Sequence, residues 1–511
     1  MDHRTDILTV SAMGAADRYA IQQGRSGAAL MDAAGAGLAR AIMQRWAPRA
    51  CAVLCGPGNN GGDGWEAAAQ LRRAGWAVSI FTLAGRDRLK GDAALAAAKW
   101  GGPVSPLQDC DPSQFGLVID ALFGAGLSRP LEDEAARLAG ACNARRRAGA
   151  VIVSADVPSG LDGDLAHAEG PVFQADLTVT FHRLKPAHLL QPGRTQCGEI
   201  VLVDIGIPDG WRDAAEPCAQ INTPELWPKV CGDPAVDAHK HSRGRLCVLS
   251  GPTGASGAAR LAGSAGLTGG AGFVTLLCPP GALEEVAAAS RSLVARNFDP
   301  AGDFGHILED HRASAAVLGP GAGVAESTRA RVLAALETHR PLVLDADALT
   351  CFADEPDALF EAVNGPVVLT PHGGEFARLF PDLAGRDALN KIEVTREAAQ
   401  RSGAVIVHKG PDTVIAAANG AARVNVHASA RLATAGTGDI LAGLIGAFLA
   451  SGEGAFDAAS AAVWIHGEAG RRCGPGATVE AVLRHLPSAL GALAHRRARM
   501  AALHRIAPGS G

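Results

Sequence analysis

The sequence predicts an α/β protein of two successive domains, each a mostly parallel sheet covered by helices. Three observations carry that expectation. The chain has 511 residues, more than one compact core normally holds. Short apolar runs alternate with helical segments along most of it, the pattern of parallel strands joined by crossover helices. The alternation lapses once, at Pro224–Gly244 (PELWPKVCGDPAVDAHKHSRG), which is rich in proline and mixed charge.

In the first half, Ala52–Leu54, Ala77–Thr82, Leu117–Ile119, Ala150–Ser154, Leu177–Phe181 and Ile200–Asp204 are expected as buried strands. Ala67–Ala74 and Glu132–Ala148, rich in alanine and arginine, are expected as helices between them. The second series is Leu246–Ser250, Phe273–Leu277, Ala315–Leu318, Leu342–Asp345, Val367–Thr370, Ala404–His408 and Thr413–Ala417. The halves do not align as a repeat. The expected division is 1–223, a linker at 224–244, a second domain at 245–495 and a basic tail at 496–511. His239 and His241 are read as linker residues before metal ligands.

Composition narrows the function. Hydrophobic residues at 48% and charged residues at 19% describe a globular chain. A formal charge of −5, with one tyrosine and 4% aromatics, offers neither the basic surface nor the stacking platform of a nucleic-acid binder. The N-terminus lacks the pattern of a signal peptide, and no stretch nears the ~20 apolar residues of a membrane span. Eleven cysteines, an odd number without CxxC spacing, suggest reduced thiols and a cytoplasmic location.

The loop Cys55–Trp65 (CGPGNNGGDGW) lies between a strand and a helix, where backbone N–H groups favour anions. It lacks the lysine and hydroxyl of a Walker A loop and the GxGxxG order of a dinucleotide fold. Asn59, Asn60 and Asp63 add oxygens that suit a hard cation. Alone, the loop reads equally as a turn or a ligand loop. Two further strand ends weight the choice: LVIDALFGAG places Asp120 before glycines, and VIVSADVPSGLD places Asp156 and Ser159 likewise. Ligands of open parallel sheets bind at the carboxyl ends of the strands, so the three loops converge on one crevice. Lys185, in LTVTFHRLKPAH, would be the crevice's positive side chain, with a surface lysine as the plainer reading.

In the second half, ATAGTGDILAGLIG runs a glycine loop into an apolar helix. Amides at Gly436, Thr437 and Gly438 can surround a phosphate, with Asp439 at the same helix terminus. The plainer reading of Asp439 is a carboxylate stabilised by the helix dipole.

Taken in order, NNGGDG, DALFGAG, DVPSGLDGD, TFHRLKPAH and DIGIP resemble the NAD(P)H-hydrate epimerase domain across nearly all of residues 1–215, LMDAAGAGLA included. That resemblance implies hydrated-nucleotide contacts at Asn59, Asn60, Gly61, Gly62 and Asp63. It also implies a pyrophosphate cradle at Gly124, Ala125, Gly126, Leu127, Ser128, Arg129 and Pro130, and a potassium ion held by Asn60, Asp120 and Ser159. Asp156 would face the reacting ring as acid or base, with Lys185 assisting. Ala125 departs from the threonine common in that family.

VLSGPTGASGAAR, LGPGAG, LVLDADAL, LTPHGGEFARL, VHKGPDTVI and the GTGD loop together resemble the ribokinase-like fold, in its NAD(P)H-hydrate dehydratase branch, over about 240–490. The implied hydrate contacts are Ala258, Gly321, His372 and Asp439. The implied nucleotide contacts are Lys409, Gly410, Pro411, Asp412, Thr413, Gly436, Thr437 and Gly438. Mg²⁺ with ADP as co-substrate follows from the same resemblance, as does Asp439 as base. Ala435 stands where glycine is usual. The expected activity is repair of hydrated NADH and NADPH by a homo-oligomer, with neither nucleic acid nor membrane as partner. The alternative is a small-molecule kinase, of the hydroxymethyl-pyrimidine type, fused to a nucleotide-binding or scaffold domain.

Overall fold

A computed structural model describes residues 5–231, 243–289, 291–386 and 388–506. The central part of the expected linker, with His239 and His241, and the end of the tail at 507–511 lie outside the described residues. The chain divides into two compact units, Met1–Gln220 and Ile221–Gly511.

In the first unit, β1 (Asp6–Ile7) precedes seven strands: β2 (Cys51–Cys55), β3 (Val78–Thr82), β4 (Val104–Pro106), β5 (Leu117–Ala121), β6 (Val151–Ala155), β7 (Leu177–Phe181) and β8 (Glu199–Val203). These seven form one sheet in the order 4-3-2-5-6-7-8, every pair parallel. Both faces are covered, as the continuous apolar runs require. Cys51, Val53 and Cys55 enter one core while Ala52 and Leu54 enter the other, the period of two that a strand imposes. The order reverses between β2 and β5, so the crevice opens beyond Cys55 and Ala121. β9 (Ala219–Ile221) returns antiparallel to β1.

The second unit carries β10 (Arg245–Leu249), β11 (Phe273–Cys278), β12 (Val294–Asn297), β13 (Ala315–Leu318), β14 (Leu342–Leu344), β15 (Val367–Leu369), β16 (Val405–His408), β17 (Val414–Ala416) and β18 (Ala422–Val424). They run in the order 18-17-16-15-14-13-10-11-12, with β17 and β18 antiparallel at one end. The reversal here falls between β10 and β13. The helix Thr437–Ala450 is buried along nearly its whole length, which its uniformly apolar sequence requires.

Trp227 and Val230, within the stretch read as linker, are buried in the second core. The Trp227 ring meets Trp464 edge-on at 6.2 Å. Residues read as the start of a tail continue the helix Val479–Ile506, where the Arg497 guanidinium lies 5.5 Å from the Trp227 ring centre. An aromatic in a proline-rich stretch is an anchor here. Among the described residues no helix is long and apolar enough to cross a membrane.

Candidate active sites

A cavity of about 590 Å³ opens at the β2–β5 switch point of the first unit. Asn59, Asn60 and Asp63 line it from the first turns of the helix Asn59–Arg73, and Gly124, Ala125, Gly126 and Leu127 from the loop after β5. Gly61 and Gly62 do not line it; they let that helix start pack tightly. A Cβ on Gly61 would stand 2.0 Å from the Gly56 carbonyl oxygen, and one on Gly62 would stand 2.4 Å from the Met31 sulfur. The expected seven-residue cradle is also divided. Arg129 and Pro130 line a separate cavity of about 280 Å³, while Ser128 lines neither. The Ala125 amide is already engaged, donating to Asp156 Oδ2 at 3.0 Å. That contact uses backbone alone, so the missing threonine hydroxyl does not disturb it.

Asp156 and Lys185 form the cavity's ion pair. Lys185 Nζ donates to Asp156 Oδ1 at 2.7 Å and lies 3.0 Å from the Thr180 hydroxyl, which itself bonds the same Oδ1 at 3.0 Å. Lys185 is only 2% exposed, which excludes the surface-lysine reading. Burial pushes the Asp156 carboxyl up, but the charge and hydrogen bond of Lys185 outweigh it, and the pKa falls to about 2. Asp156 sits at φ 63°, a left-handed backbone that non-glycine residues adopt only under constraint. The constraint is His188, which is fully buried. The Lys185 N–H donates to His188 Nδ1 at 2.9 Å, so Nε2 carries the proton and donates to the Asp156 carbonyl at 2.8 Å. Burial and the nearby Lys185 charge push its pKa down to about 4, keeping it neutral.

Behind the cavity wall, the fully buried Asp120 accepts from the Ser159 amide (2.8 Å), the Ser159 hydroxyl (2.6 Å) and the Ser154 hydroxyl (3.0 Å). Among the described residues no ammonium or guanidinium pairs with it. Both polar atoms of the buried Asn60 amide lack a hydrogen-bond partner. An oxygen set of carboxylate, hydroxyl and a free amide suits a monovalent cation. Sequence reasoning passed over Asp17, which lines the same cavity from the helix Val10–Gln22. It lies outside every motif, and its signal is only helical spacing from Val10 and Met13.

In the second unit the strand ends again converge. The Lys409 ammonium donates to Asp345 Oδ1 at 2.8 Å and stands 3.9 Å from Glu375. A Cβ on Gly438 would lie 3.5 Å from Lys409 Nζ and 3.8 Å from Asp345 Oδ2, which places the GTGD loop beside this pair. Burial, together with the Asp345 charge, raises Asp439 to about 6 against the pull of Lys409. Burial works to lower Lys409, and Asp345 and Glu375 hold it above its ordinary value. Gly436, at φ 90°, caps the helix Thr437–Ala450, and the Thr437 hydroxyl lies 2.7 Å from the Leu432 carbonyl. Ala435 is exposed and its φ is not positive, so alanine is tolerated there.

Ala258 and Gly321 face each other, since a Cβ on Gly321 would lie 3.5 Å from that of Ala258. The His372 side chain caps the helix Gly373–Leu379 through Nδ1, and the His372 amide donates to Glu375 at 2.8 Å. Glu375 thereby links His372 to Lys409. Gly410 and Thr413 close a turn, with the Thr413 hydroxyl 2.9 Å from the Gly410 carbonyl. Buried Asp412 pairs with Lys391 at 2.6 Å, so its carboxylate serves the fold. Pro411 extends the same turn. Asp345 and Glu375 were quoted within motifs but given no role from sequence; the available signal was the place of Asp345 just after β14 and of Glu375 in the first turn of the helix Gly373–Leu379 that follows β15.

Comparison with known proteins now bears on these two sites. The family described as YjeF-related protein N-terminus matches residues 27–187, and the NAD(P)H-hydrate dehydratase family matches residues 246–489. The bifunctional NAD(P)H-hydrate repair enzyme Nnr of Thermofilum pendens is 33% identical over 94% of this chain and 94% of its own. The protein of the same name from Mycobacterium leprae is 36% identical, over 91% of this chain and 95% of its own. A solved ADP/ATP-dependent NAD(P)H-hydrate dehydratase from Bacillus subtilis, co-crystallised with ATP/Mg²⁺, is 26% identical with a TM-score of 0.47. It covers 53% of this chain and 98% of that one. This chain belongs to the family of bifunctional NAD(P)H-hydrate repair enzymes.

Proposed function

We propose that the first unit interconverts the two epimers of hydrated NADH and NADPH, and that the second dehydrates the S epimer at the expense of ADP, releasing AMP and phosphate. The observation that carries this is two separate sites on one chain, each an aspartate–lysine pair at the carboxyl ends of parallel strands.

In the second site the hydrate's hydroxyl is a poor leaving group until phosphorylated. Asp439, near 6, is matched to take the hydroxyl proton at neutral pH while the hydroxyl oxygen attacks the terminal phosphoryl group of ADP. The amides of Gly436, Thr437 and Gly438 hold that group, and Lys409 neutralises its charge. Phosphate then departs as the ring nitrogen's lone pair forms the new double bond, and loss of a ring proton restores the dihydronicotinamide. Ala258, Gly321 and His372 border the hydrate, and the turn Lys409–Thr413 borders the adenine nucleotide. Asp345 provides a carboxylate suited to a nucleotide-bound Mg²⁺, which would neutralise phosphate charge.

In the first site Asp156, ionised at every working pH, accepts the hydrate's hydroxyl proton or hydrogen bond, and Lys185 fixes its charge. Asn59, Asn60 and Asp63 border the nicotinamide part, and the loop from Gly124 to Leu127 the phosphates. Asn60, Asp120 and Ser159 would hold potassium, whose charge would offset that of Asp120. With all eleven cysteines free, a reducing cytoplasm suits the chain.

The two assignments separate by mutation. Asp439→Asn is expected to abolish ADP-driven recovery of NADPH while epimers still equilibrate; retained recovery would refute the base. Asp156→Asn is expected to do the reverse, and equilibration at the wild-type rate would refute its role. An enzyme that turns ATP over on a hydroxymethyl-pyrimidine but leaves hydrated NADPH untouched would favour the kinase alternative.

A further inference from the structure

Epimerisation at a carbon bearing both a hydroxyl and the ring nitrogen needs two proton movements. To open the ring, the hydroxyl proton leaves, the carbon–nitrogen bond breaks, and its electron pair stays on nitrogen, which takes up a proton. The product is an open aldehyde. After rotation the nitrogen attacks the other face of the carbonyl, gives up its proton, and the oxygen is reprotonated. One group must therefore accept at oxygen while another donates at nitrogen. Asp156, tied to Lys185, is suited only to the first task.

We propose that Asp17 is the acid of the epimerase site, protonating the ring nitrogen as the hydrate opens and taking that proton back as it recloses. The inference rests on the epimerase reading above. Its basis is geometric. Val10, Met13, Gly14, Asp17 and Ile21 all line the cavity, a spacing of three, four and seven that puts Asp17 on the cavity face of its helix. Asp156 and Lys185 line the same cavity, and Asp17 senses both their charges.

The remaining charged groups around it are few. Arg18 is on its own helix, Asp63 lies on the helix Asn59–Arg73, and Asp92 lines the cavity from the helix Gly91–Ala98. Burial pushes Asp17 up to about 6, Lys185 and Arg18 pull it down, and Asp156 pushes it up. Asp63 is held well above its ordinary value by burial and by the Asp156 and Asp17 charges. Two carboxyls pushed apart by their surroundings, one near 2 and one near 6, are the arrangement that divides acid from base.

The test uses the full-length protein without ADP, so that dehydration does not drain either epimer. One purified epimer of hydrated NADPH is supplied, its conversion to the other is followed by chromatography, and the enzyme-free rate is subtracted. Asp17→Asn is expected to lower kcat by about 100-fold or more, the usual worth of a general acid, with KM within about twofold. The wild-type rate is expected to fall as pH rises through about 6, because the donor must be protonated. That falling limb is expected to vanish in Asp17→Asn and to survive, with part of the rate, in Asp17→Glu. Undiminished kcat in Asp17→Asn, or a falling limb that persists there, overturns the assignment to Asp17. A rise in KM matching the loss of rate also overturns it, in favour of a binding role. If the wild type does not exceed the enzyme-free rate, the epimerase reading itself fails. A first-unit calorimetric transition unchanged in Asp17→Asn reports that this unit is folded, and ADP-driven consumption of the S epimer at the wild-type rate reports the same for the second unit.

Discussion

The two sites are built from the same parts in different enclosures. Each ties a lysine to one aspartate, Lys185 to Asp156 at 2.7 Å and Lys409 to Asp345 at 2.8 Å. Each also leaves a second carboxyl, Asp17 or Asp439, near 6. The first site encloses its groups in a cavity whose wall is held by buried side chains, His188 above all. The second exposes a loop of backbone amides at a helix start, and its lysine and carboxylates stand behind that loop. The difference follows from the chemistry. Moving protons on one small ring requires fixed donors and acceptors around an enclosed space. Transferring a phosphoryl group requires a site that admits a nucleotide and neutralises it.

Breaking the lysine pairs should therefore hurt the first unit most. Lys185→Met is expected to leave the half-buried Asp156 without its counter-charge, costing about 3 kcal/mol of stability. Calorimetry should show the first unit's transition lowered, and the remaining folded protein should lack epimerisation. A neutral melting shift would mean that the pair is not the first site's foundation. Next in size, His188→Ala is expected to free the strained Asp156 backbone, at about 1–3 kcal/mol for the unsatisfied groups left behind. Epimerisation should fall through kcat with KM little changed, while dehydration stays intact.

The pH response sharpens the comparison further. Dehydration, which needs Asp439 ionised, should be lost as pH drops through about 6 and be fully present above it. Epimerisation, which needs its acid protonated, should respond in the opposite sense over the same range. Parallel profiles for the two activities would break the comparison. Smallest of all, Ala435→Gly should change ADP-driven recovery less than about twofold, since Ala435 is exposed and unstrained. A larger gain would show that the alanine does crowd the loop.

Much of this was legible in the sequence because apolar runs and glycine loops sit next to each other at the strand ends. The strands that carry the loops were all visible. The strands that were missed are short or peripheral: DI at Asp6–Ile7, VSP at Val104–Pro106, AQI at Ala219–Ile221, VARN at Val294–Asn297 and ARV at Ala422–Val424 mix apolar with polar residues and lack a continuous run. Trp227 was hidden by the prolines around it. Lys185 could be named beside Asp156 and Ser159 beside Asp120 from sequence, but the partner of Asp345 could not. Lys409 meets Asp345 across 64 positions, and nothing local announces it. Asp17 was illegible for the same reason. Its helix carries no motif, and only the fold brings it to the cavity that Asp156 lines.

The most direct test of the account supplies the intact protein with both epimers of hydrated NADPH and ADP, and follows dihydronicotinamide absorbance. The account predicts recovery of the whole pool at an enzymatic rate, with one AMP and one phosphate formed per NADPH. Rapid recovery of only the S share, followed by a slow phase at the spontaneous epimerisation rate, would contradict the claim that one chain performs both steps.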